Sequence, residues 1–285
     1  RLEEDLAQRA KASAQEEREI KRLSTLADSM RGQTEKRAKT AKALDRRVER
    51  LQSNRTEVHR QEKQVRLRLP TPDRSGAVPM EVEALGITYG TNTVLRRVRF
   101  AAHRGDRIAV VGRNGAGKSS LLRCLAGVQT PTRGSITLGT NVHLGYFAQE
   151  HEQIDTDALA IDNVDDRVLR TDRERRALLG SFGLSGTAMD QPAGSLSGGE
   201  RAKLGLAMLA AGRSNVLVLD EPTNNLDPAS VDAVGRMFRH WAGTIIVVSH
   251  EPAFVEALEP THCLRLPDER YDHWRDEDLD LVAMR

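Results

Sequence analysis

Apolar side chains in the first 69 residues recur at helical spacing. A four-three alternation runs through Leu2, Leu6, Arg9, Ser13, Glu16, Ile20, Leu23, Ala27 and Met30. A second seam steps by seven through Leu44, Leu51, Val58 and Val65, with Val48 beside it. Seams of this kind pack helix on helix, so the pattern predicts an α-helical antiparallel hairpin over residues 1–69. The reversal is expected near residues 29–33, because Gly32 is the only glycine before Gly76. Residues 70–79 hold three prolines and one glycine and read as a flexible connector.

Beyond residue 79 the period changes. Short apolar runs predict strands at 80–89, 94–100, 107–111, 135–138, 143–147, 216–219 and 244–248, with helices following Gly117, Ser197 and Asp227. Strands alternating with helices imply a mostly parallel sheet covered on both faces, an α/β fold. Residues 157–183 are charged and read as helical, with Thr171 and Glu174 at capping-box spacing. A domain of alternating strands and helices is expected from residue 80 onward, with an acidic C-terminal tail at 268–285.

Charge changes this picture in one place. Residues 1–69 carry 19 basic and 12 acidic side chains, whereas the remaining 216 residues carry 24 and 29. Arg31, Lys36, Arg37, Lys39, Lys42, Arg46 and Arg47 crowd just past the expected hairpin tip, a surface that attracts polyanions. No apolar stretch approaches bilayer length; the run 245–248 is typical. No secretory leader is visible. The two cysteines, Cys124 and Cys263, lack metal-site spacing and fit a reducing, cytoplasmic setting. The first residue is Arg1, so a piece of a longer protein is expected.

Three motifs carry chemistry. Gly112, Arg113, Asn114, Gly115, Ala116, Gly117, Lys118 and Ser119 fit G-x-x-x-x-G-K-[ST] between an apolar strand and a helix. Glycines there let backbone N–H groups turn toward phosphate oxygens, and the helix N-terminus adds positive potential. Lys118 would meet the β and γ phosphates, and the Ser119 hydroxyl, with Ser120 next to it, would lie at the Mg²⁺. The second motif is the apolar run 216–219 delivering Asp220 and Glu221 at a strand's C-terminal end, where open α/β sheets bind ligands. Asp220 suits Mg²⁺, and Glu221 suits a general base that takes a proton from water. The third is Leu196, Ser197, Gly198, Gly199 and Glu200, a capping box with two glycines in its first turn.

These motifs, in this order and spacing, resemble the ATP-binding-cassette (ABC) ATPases over roughly residues 80–267. The resemblance implies a P-loop NTPase cassette with a helical subdomain, using ATP and Mg²⁺. It implies that Tyr89 stacks on adenine and that Gln149 senses Mg²⁺ and links to the helical subdomain. It implies further that His250 contacts the γ-phosphate and that Asp227 lies in the loop crossing a dimer interface. Such cassettes pair head to tail, so Leu196–Glu200 would serve a nucleotide held by a second cassette. The run Glu221-Pro-Thr-Asn-Asn-Leu-Asp227, with Arg113 in the loop and Glu200 closing LSGGE, resembles the ABC-F subfamily. That family usually has His where Asn225 stands. The subfamily implies an interdomain hairpin plus the second of two cassettes, without membrane helices, acting on the ribosome through rRNA and tRNA contacts of the hairpin. Its members are translation factors or protect ribosomes against antibiotics. A transporter's motor subunit is the alternative; it predicts no hairpin before the cassette. A DNA-repair or chromosome-organising ATPase would need a long coil between the motifs, and only 76 residues separate Ser119 from Leu196.

Overall fold

The computed structural model describes residues 69–165, 168–184 and 186–283. The expected hairpin over 1–69 lies outside the described residues, apart from Leu69.

Nine strands form two sheets among the described residues. Strands β1 (Met80–Tyr89), β2 (Asn92–Ala102) and β4 (Arg133–Leu138) make an antiparallel sheet in the order β2-β1-β4. The second sheet runs β5-β6-β7-β3-β8-β9, from β3 (Arg107–Val111), β5 (Leu144–Phe147), β6 (Val216–Asp220), β7 (Thr244–Val248), β8 (His262–Arg265) and β9 (Arg270–His273). All its neighbours are parallel except β8 and β9. Helices are α1 (Lys118–Leu125), α2 (Asp172–Ser181), α3 (Gly186–Met189), α4 (Gly198–Ala211), α5 (Pro228–Arg239), α6 (Pro252–Leu258) and α7 (Asp278–Val282).

Continuous apolar runs such as 216–219 and 245–248 exist because this sheet is covered on both faces. Alternate residues divide between two cores. Ile108, Val110, Val216, Val218, Ile246 and Val248 pack with Leu121, Leu122 and Leu125 of α1 and with Leu85, Ile87, Leu95 and Val98 of the antiparallel sheet. Ala109, Val111, Leu217, Leu219, Ile245 and Val247 pack with Leu204, Leu206 and Ala210 of α4, Val234 and Phe238 of α5, and Phe254 and Leu258 of α6. Each fully buried aliphatic or Phe side chain contributes about 1.5–3 kcal/mol. This sandwiching holds the C-terminal ends of β3, β6 and β7 side by side.

The helix starts are set locally. Thr171 and Ser197 each form a complete capping box, with Glu174 and Glu200 respectively. Asp227 accepts from the Ser230 backbone N–H at 3.1 Å, and Pro228 follows in the first turn of α5.

Four expectations change. The antiparallel sheet is a separate layer, because Glu81 and Glu83 alternate with buried Met80 and Val82 and leave β1 one wet face. Within 157–183 the α-helix is confined to Asp172–Ser181, preceded by a 3₁₀ turn at Ala160–Asn163. Asn163 Nδ2 donates to the carbonyls of Asp155 and Leu159, offering the backbone turns in place of helix. The connector 70–79 has no helix or strand but is tied down. Trp241 Nε1 donates to the Pro70 carbonyl, Asn215 Nδ2 to that of Asp73 and Arg104 Nη1 to that of Ser75. Residues 268–283 are not a separate acidic tail: β9 extends the sheet, and Asp278 and Val282 are each 1% exposed. Asp278 is buried because Arg265 meets it with two hydrogen bonds, Nε at 2.7 Å and Nη2 at 2.9 Å.

Candidate functional site: a phosphate-binding loop facing two buried carboxylates

Strand β3 ends at Val111, and the chain turns sharply into α1. Gly112 has φ +147°, and a Cβ there would stand 2.3 Å from the Leu266 carbonyl oxygen. Gly117 has φ +93°, and its Cβ would stand 2.5 Å from Val94 Cγ1. Only glycine satisfies both demands. No side chain caps the start of α1, so its first turn faces the cleft with the dipole's positive end. Lys118 is buried, and its Nζ donates to the carbonyls of Gly112 at 2.6 Å and Arg113 at 3.1 Å. Burial lowers its pKa, against the opposing pull of Glu221 and Asp220.

A cleft of about 600 Å³ is lined by Asn114, Gly115, Gly117, Lys118, Ser119, Ser120, Gln149, Asp220, Glu221 and His250, together with Val94, Asn224 and Val248. Gly112 and Ala116 shape the loop without lining it. Asp220, at the end of β6, is 1% exposed. Desolvation raises its pKa, opposed first by a hydrogen bond from Ser119 and then by the charges of Arg123, Lys118 and His250. Glu221 follows in a left-handed conformation, φ +51°. Its N–H donates to the Val248 carbonyl at 2.9 Å, and its Oε2 accepts from the His250 N–H at 3.1 Å. Desolvation raises the Glu221 pKa as well, opposed by that N–H and by the His250 charge. A non-glycine residue at positive φ is a strained position of the kind found at functional sites.

Asp220 Oδ1 and Glu221 Oε1 are buried without a hydrogen-bond partner. Orphaned buried carboxylate oxygens call for a missing cation or water. Asp220 Oδ1, with the Ser119 hydroxyl and Gln149 in the same cleft, is a hard-oxygen set that fits Mg²⁺. That ion binds through one or two carboxylates plus substrate phosphates rather than in an all-protein cage.

His250 Nε2 lies 3.6 Å from Glu221 Oε1. Tyr89 is not in the cleft lining. The residue is 49% exposed, and its hydroxyl lies 2.9 Å from Gln129 Oε1 and 3.2 Å from Ser120 Oγ, which places the side chain beside the loop. Leu196 to Glu200 line no part of this cleft. Their capping box stands elsewhere, with Ser197 N–H donating to Glu200 Oε2 at 3.0 Å. Asn225, at φ +64°, packs against both glycines of that turn: Cβ atoms at Gly198 and Gly199 would lie 3.2 Å and 2.8 Å from it. Asp227 is likewise outside the cleft, holding the start of α5.

Sequence reasoning missed Val94, Asn224, Val248, Leu266 and the carbonyl of Val282 as neighbours of the site. Asn224 stands inside the motif at 221–227, whereas the others look like ordinary apolar residues and become neighbours only through folding.

Residues 95–224 match the family model described as ABC transporter. The energy-dependent translational throttle protein EttA of Escherichia coli (strain K12) is 32% identical over 273 residues, 94% of this chain and 49% of that protein. The ATP-binding cassette sub-family F member 3 of Pongo abelii is 37% identical over 169 residues, 59% of this chain and 24% of that protein. Among solved structures, a dimeric post-hydrolysis state of the cassette MJ0796 bound to ADP and Pi superposes with TM-score 0.61 at 18% identity. It covers 69% of this chain and 99% of its own length, a likeness of fold. The chain spans half or less of the length of the curated relatives it matches.

A phosphate loop, two carboxylates and a histidine at adjoining strand ends, on this pair of sheets, define an ATP-binding cassette of the P-loop NTPase class. Glycine-lined LSGGE and the run 221–227 stand on the same domain. Within that class, the curated homologues of the chain, EttA and sub-family F member 3 among them, are members of the ABC-F family.

Proposed function

We propose that this cassette binds ATP with Mg²⁺ between the loop 112–119 and the strand ends carrying Asp220, Glu221 and His250, and hydrolyses it to ADP and phosphate. The observation that carries this reading is the orphaned Glu221 Oε1, buried beside His250 and opposite Lys118 in one cleft. A carboxylate with raised pKa and a free lone pair is a general base awaiting a water. That water loses its proton to Glu221 as its oxygen bonds the γ-phosphorus. The bond from the γ-phosphorus to the β–γ bridging oxygen breaks, and ADP leaves with that oxygen. Lys118 leaves its two loop carbonyls to meet the phosphates. Bound Mg²⁺ would supply charge neutralisation on the phosphate oxygens, held by Asp220, Ser119 and Gln149. Tyr89 offers its exposed ring to the adenine.

The outlying position of Leu196–Glu200 fits a composite site. These residues would close on nucleotide held by a second cassette, and Asp227 would lie in the loop between the two. The hairpin 1–69 and this cassette would then be the linker and second cassette of a two-cassette protein. Its basic segment favours phosphate backbones of rRNA and tRNA, and the relative named for throttling translation favours the ribosome as the target. A translation-factor or antibiotic-protection role, in the cytoplasm, follows from that reading. No described helix is long and apolar enough to cross a membrane. The test is nucleotide-dependent co-sedimentation. Full-length protein should pellet with ribosomes in ATP and release in ADP; equal binding in both, or in neither, would refute the ribosomal role. Unchanged ATP affinity in Lys118→Ala would refute the nucleotide site itself.

A further inference from the structure

The phenol of Tyr89, at the end of β1, is held from two sides. Its oxygen lies 2.9 Å from Gln129 Oε1 and 3.2 Å from Ser120 Oγ. An amide oxygen only accepts, so the phenol hydrogen goes to Gln129. The phenol oxygen is then free to accept from the Ser120 hydroxyl. Ser120 stands in the first turn of α1 and lines the phosphate cleft, and Gln129 lies just past the end of the same helix. One hydroxyl therefore joins the tyrosine to both ends of the helix that carries Lys118. The bond to Gln129 uses no group of the cleft, so it persists whichever way the Ser120 hydroxyl turns toward a phosphate.

Gln129 itself has a fixed seat. The Val128 and Gln129 N–H groups both donate to the Arg123 carbonyl, at 2.9 and 3.1 Å, and Gly127 makes the reversal with φ +73°. Further on, the Thr132 N–H donates to the Gly86 carbonyl at 2.8 Å, and the Thr88 N–H donates to Thr132 Oγ1 at 3.0 Å. The turn after α1 and the end of β1 are thus tied together by bonds that do not involve the tyrosine side chain. Tyr89 is half-exposed, so packing alone leaves its ring free to turn about χ1 and χ2. Its hydroxyl partners supply the restraint that packing lacks.

We propose that Gln129 is a positioning residue for the nucleotide's base: its side-chain carbonyl takes the Tyr89 hydrogen and fixes the ring in place before adenine stacks on it. A loose side chain must be ordered at the moment of binding, which subtracts from affinity; a ring already held escapes that loss. Gln129 acts only through Tyr89, so its effect falls on the base and not on the phosphates. This inference rests on the reading of Tyr89 as the adenine platform, and the two fail in different measurements.

The test pairs equilibrium titrations of the chain with ATP and with inorganic tripolyphosphate, both in Mg²⁺; the second ligand has the phosphates but no base. Gln129→Leu should weaken ATP binding about 2–10-fold, the scale of ordering one side chain. It should leave tripolyphosphate binding unchanged, which also shows the phosphate loop intact. The KM for ATP should rise by a similar factor while kcat holds. Tyr89→Phe keeps the stacking face but loses the hydroxyl, so it should match Gln129→Leu, and the double variant should bind no more weakly than either. Tyr89→Ala should lose more, about 5–150-fold, the scale of one base–aromatic stack. Equal weakening of ATP and tripolyphosphate in Gln129→Leu, or additive losses in the double variant, would overturn the inference. A strong effect of Tyr89→Ala beside a silent Gln129→Leu sinks the positioning role alone. Native ATP affinity in Tyr89→Ala sinks the adenine reading, and the positioning role with it.

Discussion

Glu221→Gln tests the most of this site with one atom changed. The Glu221 side chain is 12% exposed, with Oε2 satisfied by the His250 N–H and Oε1 without a partner. Glutamine keeps the volume and, through its carbonyl oxygen, the bond from His250. It loses the negative charge and the capacity to take a proton. Removal of a general base costs typically 10²–10⁴ in rate, about 2.7–5.5 kcal/mol of barrier at 1.36 kcal/mol per decade. ATP affinity should stay within about tenfold, because the change removes no phosphate contact.

Stability should move the other way. Burial raises the folded Glu221 pKa above its ordinary value of 4.5, so the folded chain holds this proton more tightly than the unfolded chain does. The stability contribution is therefore fully present only below the ordinary value and is lost as pH climbs through the raised one. At neutral pH the charge is a cost, and an unsatisfied buried polar group costs about 1–3 kcal/mol. Neutralising it should raise stability by roughly 1 kcal/mol, about 2–4 °C in Tm for a domain of this size. That gain should vanish in acid below the ordinary carboxylate range. The assays are single-turnover hydrolysis, equilibrium nucleotide titration and thermal melting across pH. The rate of the native chain should also fall on the acid side at a pH above that of an ordinary glutamate. Near-native turnover in Glu221→Gln would place the base elsewhere. An unchanged or lower Tm at neutral pH would contradict the cost assigned to the buried Oε1.

Lys118→Ala should weaken ATP binding about tenfold or more by equilibrium titration, since the cation proposed to meet the β and γ phosphates is gone. Ser197→Arg should leave ATP binding by the isolated chain near normal yet depress hydrolysis, and hydrolysis should rise with protein concentration; a concentration-independent rate would contradict a composite site. Replacing Arg37, Lys39, Lys42, Arg46 and Arg47 together by Gln should spare nucleotide affinity but lower ribosome affinity. It should also flatten the slope of log affinity against log salt by up to several units; identical slopes would remove the RNA contact from the hairpin.

The phosphate loop, the two carboxylates and the helix starts after Gly117, Ser197 and Asp227 were legible in the chain because each depends on near neighbours. Gly117 before Lys118, Ser197 three residues before Glu200, and Asp227 before Pro228 act within one turn, so spacing alone specifies them. Strands at Arg107–Val111 and Thr244–Val248 were equally plain, since a strand covered on both faces is apolar nearly throughout, and Met80–Tyr89 showed itself by alternation at its start. Weaker strands were not. His262–Arg265 and Arg270–His273 mix charged and apolar residues and become strands only by pairing with the exposed edge of β3 and with each other. Acidic composition marked residues 268–285 as a solvated tail, but Asp278 is buried because Arg265, 13 positions earlier, neutralises it. Proline and glycine marked 70–79 as loose, but Trp241 and Asn215 donate to its carbonyls from more than 140 residues away. Sequence by itself thus determined the chemistry that phosphate binding needs, because those residues lie within single turns. Tertiary structure alone decided that Asp220, Glu221 and His250 share one cleft with Lys118, that two carboxylate oxygens there lack partners, and that a C-terminal carbonyl stands behind the histidine. Those are distances between segments far apart in the chain, set by how the two cores close around the sheet.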